Sequence, residues 1–360
     1  MYEILADLNV LYDAFEQSKK SVNWKTSIQR YEANVLSEIF ELRNAIVSET
    51  YKQKPFYEFD INERGKHRHI KSLHIKDRVL QRALCDYILV PVFYKYLIYD
   101  NGASVKGKGI EFSRNRLVAH LQKYYRKHGN KGYVLTVDFS KFFDSIPHRQ
   151  LMGMIREKLP DEKLVKLLDE IISTFGNDVS LGIGSQVSQI FGIYYPTRLD
   201  NYIKIVKQCK YYGRYMDDLY IIHSDKEFLK SILQDIIKIS DDMGLKVNIK
   251  KTHINRIDKG FIFLKLNHIV TPSGRIVRKP CKKNITRERR KIKKMYRNGV
   301  PLEDALESYK SWRGNMLKVD SKRAIQSMDE LFNWYYGAQM YAERKSIESK
   351  RHKGRIGGLF

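Results

Sequence analysis

The tetrapeptide Tyr215-Met216-Asp217-Asp218 constrains this chain more than any other stretch. A basic, aromatic run precedes it (Lys210-Tyr211-Tyr212-Gly213-Arg214), and an apolar, β-prone run follows it (Leu219-Tyr220-Ile221-Ile222). Two adjacent carboxylates between β-prone runs read as a tight turn of a hairpin. Like charges that close repel. A divalent metal relieves the repulsion, and Mg²⁺ suits one or two carboxylates supplemented by substrate phosphate oxygens. Most Asp-Asp pairs are solvated turn residues, so this one gains meaning only from its surroundings.

Those surroundings include a second carboxylate in a matching setting. Val134-Leu135-Thr136-Val137-Asp138 reads as a β-branched strand ending on an acid, followed by a turn into a helix over Phe139-Ser140-Lys141-Phe142-Phe143-Asp144. Taken alone, Asp138 suits a helix N-cap equally well. Brought beside the hairpin on a neighbouring strand, it completes a two-metal site for in-line phosphoryl displacement.

Composition points to the same kind of substrate. The 360 residues carry 66 Lys and Arg against 41 Asp and Glu, a formal net charge of +25, and such an excess suits a phosphate backbone. A membrane surface is the competing reading, but no apolar run reaches the roughly 18 residues that a span needs. The best candidate, Tyr87 to Tyr99, is broken by Pro91 and Lys95. Met1-Tyr2-Glu3 lacks the basic start of a signal peptide. Cys85, Cys209 and Cys281 stand apart, which suggests neither a zinc ribbon nor a disulfide framework; a reduced, cytoplasmic protein is expected. From Arg275 onward there are 23 basic and 9 acidic residues, densest from Arg287 to Lys294. Such a run is either a solvated helix face or a surface that follows a nucleic-acid duplex.

The order of these blocks resembles that of the reverse transcriptases. The Asp138 strand is followed by Ser188-Gln189, Tyr215 to Asp218, Leu245 to Thr252 and Gly260-Phe261-Ile262-Phe263-Leu264. Upstream, Arg64 to Ile70 and Asp77 to Leu84 resemble fingers blocks of the bacterial branch, and Ser311-Trp312-Arg313-Gly314 resembles a thumb segment. The resemblance spans roughly residues 25–340. It implies an α+β, right-hand polymerase fold with fingers, a palm of antiparallel sheet flanked by helices, and an α-helical thumb. The expected boundaries are 1–130 for an N-terminal extension and fingers, 131–272 for the palm, and 273–360 for a basic thumb entered at the turn Pro272-Ser273-Gly274. Within the first part, helices are expected up to a strand at Phe56 to Phe59, with Glu32 to Val47 amphipathic.

The resemblance also assigns roles. Asp138, Asp217 and Asp218, with the backbone of Phe139, would hold two Mg²⁺ ions, for which Mn²⁺ can substitute. Arg64, Lys66 and Arg68 would grip the incoming triphosphate. Phe143 would exclude a 2′-hydroxyl, although an ordinary core aromatic is the alternative. Lys251 would protonate the leaving pyrophosphate, or else be a solvated strand-end lysine. Tyr215, Met216, the Gly260–Phe261–Leu264 segment, the basic run (Arg287, Arg289, Arg290, Lys291, Lys293, Lys294) and Trp312 would contact nucleic acid. Lys265 replaces the glycine usual after Phe-Leu, so the turn there should differ. Asn101 to Gly109 is glycine-rich and basic without a P-loop ending, and reads as a backbone-contacting loop.

One block departs from the common pattern. In Gly182-Ile183-Gly184-Ser185-Gln186-Val187-Ser188-Gln189, Ile183 stands where relatives have Gln, and Gln189 stands where they have Pro. With Gly184, these residues are expected beside the nucleotide. The variant resembles reverse transcriptases of diversity-generating retroelements, and also those of anti-phage defence. Implied partners are an RNA template or non-coding RNA, a DNA primer and product, dNTPs, and an accessory protein or second copy; no membrane is implied. The activity implied is RNA-directed DNA synthesis for a diversity-generating retroelement. The alternative is defence synthesis from a non-coding RNA or without a template.

Overall fold

The computed structural model describes residues 1–63 and 66–356, with side chains for residues 1–62 and 67–341. The chain divides into two compact units, Met1–Tyr124 with Gly132–Ile254, and Tyr125–Lys131 with Asn255–Phe360.

The first unit opens with helices α1 (Leu8–Lys19), α2 (Thr26–Ala33) and α3 (Val35–Val47). Asp7 caps α1 by accepting from the Asn9 amide. The amphipathic stretch expected over Glu32 to Val47 is interrupted at Asn34, which ends α2 and begins α3. Strands β1 (Tyr57–Glu63) and β2 (Lys66–Ser72) form an antiparallel hairpin in register from Tyr57↔Ser72 to Glu63↔Lys66. β1 thus runs longer than Phe56 to Phe59. Helix α4 (Ile75–Leu84) buries Val79, Leu80, Ala83 and Leu84 in the core shared with Leu11, Ala14 and Phe15 of α1.

After the long helix α5 (Ile110–His128), strand β3 (Tyr133–Val137) enters the central sheet. Helices α6 (His148–Arg156), α7 (Glu162–Ser173), α8 (Gln186–Tyr194) and α9 (Thr197–Asn201) follow, then the hairpin β4 (Tyr212–Tyr215) and β5 (Asp218–His223). Helix α10 (Lys226–Asp242) packs along β3 and β5, burying Leu229, Ile232 and Ile236 at helical spacing. The sheet order is β4-β5-β3-β6, with β6 at His253–Arg256. Val134, Leu135, Leu219 and Ile221 are fully buried, so the central strands have apolar cover on both faces.

In the second unit, β7 (Phe261–Phe263), β8 (Leu266–Val270) and β9 (Ile276–Pro280) form an antiparallel meander. The turn at Pro272-Ser273-Gly274 is present, but it joins two strands and does not lead directly into helix. The β-branched pair Ile276-Val277 pairs with Val270 and Ile269, and helix begins only at α11 (Lys282–Arg297). With α12 (Leu302–Leu317) and α13 (Lys322–Ile356), α11 encloses a second core of Ile292, Leu302, Ala305, Tyr309, Met328, Phe332 and Tyr336. Helices and antiparallel sheets together give the α+β class read from the sequence. Among the described residues, no helix is long and apolar enough to cross a membrane.

Candidate active site

Register places the carboxylates. β4 and β5 are joined by a two-residue loop, Met216-Asp217, closed by the pair Tyr215↔Asp218. Met216 adopts φ +56°, a first-loop-residue conformation that hairpins usually give to glycine. β5 pairs with β3 through Val137↔Leu219, so Asp138, the next residue along, comes level with Asp218.

Asp138 is held from the opposite side by the segment after α10. Its carbonyl accepts from the Asn248 amide at 2.8 Å. Its Oδ1 accepts from Asn248 Nδ2 at 3.2 Å and from Lys251 Nζ at 2.7 Å. Lys251 thus lies at the carboxylate set, well exposed and already ion-paired. Among the described residues, no three His, Cys, Asp or Glu side chains gather into a ready metal cage. The donor set instead fits an ion that takes few carboxylates and completes its shell with phosphate oxygens.

Phe139 and Phe142 are buried, and Phe139 pairs with Val247 in a short ladder. Phe143 is half-buried and meets the Phe142 ring edge-on at 5.5 Å. It also faces α8: a Cβ added to Gly192 would lie 2.9 Å from the Phe143 ring and 3.4 Å from the Met216 sulfur. Phe143, Gly192 and Met216 therefore share one contact.

The Gly182–Gly184 loop lies against the β1–β2 hairpin. The Lys71 amide donates to the Ile183 carbonyl at 3.0 Å. Gly184, at φ +131°, approaches Lys71 so closely that a Cβ would lie 2.5 Å from its carbonyl oxygen, leaving room for no other residue. Ile70 also adjoins Gly184, and strand alternation puts Arg68 on the same face as Ile70. The opposite face carries His67 and His69 against Asp60 and Glu58. Arg64 and the side chain of Lys66 lie outside the described residues. Ser185 caps α8 and its hydroxyl donates to Gln81 Oε1 at 2.6 Å. Gln189, exposed, accepts from Ser104 of the glycine-rich loop at 3.1 Å. In that loop Lys108 is turned inward onto the Tyr99 and Asn101 carbonyls, whereas Lys106 is exposed.

In the second unit, Gly260 takes φ +96°, and Phe261 is buried, stacked on His268. Leu264 and Lys265, at φ +46° and +67°, form the loop of the β7–β8 hairpin. Two consecutive left-handed residues match the turn that favours Asn-Gly. Lys265 therefore carries a backbone conformation better suited to the glycine it replaces. Arg287, Arg289, Arg290, Lys291, Lys293 and Lys294 are all exposed on α11, while Ile292 faces the core. Trp312 is half-buried and stacked on Tyr309 at 5.8 Å.

Residues 51–268 match the family described as reverse transcriptase (RNA-dependent DNA polymerase). The chain belongs to the reverse transcriptase family. That is a family of RNA-directed DNA polymerases, nucleotidyltransferases that generally work with divalent metal ions. The chain is 21% identical over 343 residues to a COX1/OXI3 intron 2 protein of Saccharomyces cerevisiae, covering 75% of this chain and 39% of the yeast protein. It is 23% identical over 282 residues to Protein YkfC of Escherichia coli, covering 67% and 72% respectively. Among solved structures, telomerase from Candida albicans, determined with a fragment of telomeric RNA, shares the fold. There the TM-score is 0.50 and the identity 15%, over 78% of this chain and 55% of the telomerase chain. The chain thus spans well under half the length of the yeast relative.

Two buried clusters beside this reverse transcriptase site escape the sequence reading. Arg214 and Asp200 form an ion pair with both side chains fully buried; burial opposes the charge on Arg214, but the Asp200 carboxylate overcomes it and holds the guanidinium above its ordinary pKa. Asp100 accepts from Arg116 Nε at 2.6 Å and Lys204 Nζ at 3.0 Å, with His120 Nε2 3.6 Å away. Burial pushes His120 down to about 4, against the pull of Asp100. Its Nδ1 lies 3.0 Å from the Tyr220 hydroxyl of β5. Little in the sequence marks either cluster: Arg214 ends a basic, aromatic run, and Asp100 lies 104 residues from Lys204.

Proposed function

We propose that this protein is an RNA-directed DNA polymerase whose Asp138, Asp217 and Asp218 hold the divalent metals, with Phe139 contributing its carbonyl. The observation that carries the reading is the strand register that sets Asp138 level with the acidic hairpin. Held by these carboxylates, divalent metals would supply neutralisation of the charge on the attacking and leaving oxygens of an in-line displacement. The bond formed joins the primer 3′-oxygen to the α-phosphorus of a dNTP, and the bond broken releases pyrophosphate. Lys251, whose ammonium already lies at Asp138, is our choice of proton donor to that leaving group. Arg68, on the face of β2 turned to Gly184, takes the triphosphate, assisted by Arg64 and Lys66. Phe143 bounds the sugar. The second unit, through Gly260, Phe261 and Leu264 of the β7–β8 hairpin, Trp312 and the basic run of α11, follows the duplex.

For the biological setting we favour a diversity-generating retroelement acting in the cytoplasm. Ile183 supports it: an aliphatic side chain can donate no hydrogen bond to a template base or sugar, and a site without that donor discriminates less well. Anti-phage defence is the alternative role of the same chemistry.

Asp138→Ala and Asp217→Ala are expected to stay folded by circular dichroism and to lose primer extension by at least about a hundredfold, the scale of one preorganised electrostatic group. Near wild-type extension by either would refute the metal assignment. Phe143→Ala should raise ribonucleotide over deoxyribonucleotide incorporation; an unchanged ratio with retained activity would make the ring a core residue. Sequencing the nucleic acid that copurifies, and the DNA made from it, decides between the two settings. A variable repeat mutated at adenines marks the first, and a structured non-coding RNA copied faithfully marks the second.

A further inference from the structure

The geometry points to Arg214 and Asp200 as a positioning pair that sets the direction of the carboxylate turn. This rests on the reading that Asp217 and Asp218 hold metal, and it concerns how an unbound chain keeps them aimed.

Arg214 is the penultimate residue of β4, two positions before Met216. Its guanidinium distributes its donors over three separate elements. Nε donates to Asp200 Oδ1 at 2.9 Å and Oδ2 at 3.1 Å, and Nη2 to Oδ2 at 2.6 Å, tying β4 to α9. Nη2 also donates to the Ile193 carbonyl in the last turn of α8 at 2.8 Å. Nη1 donates to the Met216 carbonyl at 3.1 Å. The Arg214 backbone is fixed as well: its amide donates to the Asp100 carbonyl and its carbonyl accepts from the Gly102 amide, each at 3.2 Å.

The Met216 bond is the informative one. The peptide unit is planar, so a held Met216 carbonyl also fixes the amide of Asp217 and the path on which its Cα leaves. Met216 itself sits at φ +56°, a strained choice for a side-chain-bearing residue, which persists only where the surroundings enforce it. Arg214 supplies that enforcement. A planar fork with five fixed donors can serve two carboxylate oxygens and two carbonyls together, which a lysine cannot do.

Stability alone does not account for the pair. Desolvating two charges commonly costs as much as their attraction returns, and a well-packed apolar pair of similar size often replaces them without loss. An apolar pair would leave the Met216 carbonyl unheld. Arg214 is not itself a catalytic residue, because its donors are directed at Asp200 and at backbone carbonyls. Asp200 in turn keeps the guanidinium in place, assisted by the Tyr212 hydroxyl.

The test uses the full chain in four forms: wild type, Arg214→Lys, the double variant Arg214→Met with Asp200→Leu, and Asp217→Asn. Three quantities are read: amide hydrogen exchange over residues 215–219 without metal, Mn²⁺ binding by electron paramagnetic resonance without substrate, and primer extension against Mg²⁺ concentration. We expect both the lysine and the double variant to fold and to exchange faster at the turn. Both should need about tenfold more metal for half-saturation, the factor associated with removing one hydrogen bond to a charged group. Their affinity for a template–primer duplex should not change. A folded double variant with wild-type exchange and wild-type metal dependence would overturn the proposal, as would loss of folding in both variants, which would make the pair a determinant of the fold. Asp217→Asn separates the two levels. Undiminished Mn²⁺ binding there refutes the metal reading, whereas weakened binding there beside unaltered Arg214→Lys refutes the brace alone.

Discussion

The cations around the acidic hairpin and those on α11 are used in opposite ways. Near the hairpin, four basic groups face carboxylates: Lys251 on Asp138, Arg214 on Asp200, Arg116 and Lys204 on Asp100. On α11 the partners among the described residues are neutral: Arg287 donates to Asn284, Arg289 to Ser327 at 2.7 Å, and Lys291 to Ser308. An ion pair that satisfies itself has little left for an outside phosphate. Exposed cations bonded to hydroxyls and an amide keep their charge available. The same residue types are thus paired with carboxylates in one region and given neutral partners in the other, which is what our proposal that α11 follows a duplex draws on.

The largest effect that would sharpen this contrast is in acid. His120 is buried without charge, its folded pKa held at about 4 against an ordinary 6.5. The unfolded chain binds its proton first, so stability is complete above about 6.5 and is lost as pH falls toward 4. A shift of that size corresponds to at most about 3 kcal/mol. Urea unfolding at pH 7 and pH 4.5 should show the loss, and His120→Gln should flatten it. An unchanged slope with pH in that variant would mean that the scaffold cluster is indifferent to its histidine.

A smaller effect is expected on α11. Replacing Arg287, Arg290, Lys293 and Lys294 by Gln should leave folding intact, because Ile292 makes the core contact. Duplex affinity should fall, and the slope of log K against log salt should shrink by about one for each phosphate no longer neutralised. If the slope stays as in wild type, the row is a solvated face and the contrast fails. The smallest effect is expected where charge plays no part. Ile183→Gln should lower misincorporation several-fold, below the roughly tenfold to two-hundredfold range that a side-chain difference in a closed pocket gives, with less change in correct insertion. Because the Lys71 bond is to the Ile183 backbone, the loop itself should stay put. An enzyme already accurate at every template base would remove the retroelement setting and leave the defence one.

The acidic hairpin was legible because its signal is local: two carboxylates and two β-prone runs within a dozen residues. The α+β class came with the resemblance to reverse transcriptases that the ordered blocks carry. What the sequence hid depends on distance along the chain. Asp138 and Lys251 are 113 residues apart, and Asp100 and Lys204 are 104 apart. No periodicity reports such pairings. Arg214 looked like one more base in a basic run, because its burial is decided by α8 and α9 and not by its neighbours. The strand Ile276–Pro280 was hidden for a related reason: Arg278 and Lys279 mask the alternation that Ile276 and Val277 begin. The departure at Lys265 was visible, but its form, a left-handed lysine in a two-residue turn, required the register of β7 and β8.

Gly192 has a consequence for how this enzyme can change. The space its missing side chain leaves is filled from one direction by Phe143 and from another by Met216. A single added methyl would press on the aromatic that we place at the sugar, at 2.9 Å, while only touching the Met216 sulfur at 3.4 Å, an ordinary contact. Gly192 thus borders both the ring that we propose bounds the sugar and the residue that opens the acidic turn. A lineage that enlarged Gly192 would have to move the Phe143 ring, whereas Met216 could stay where it is.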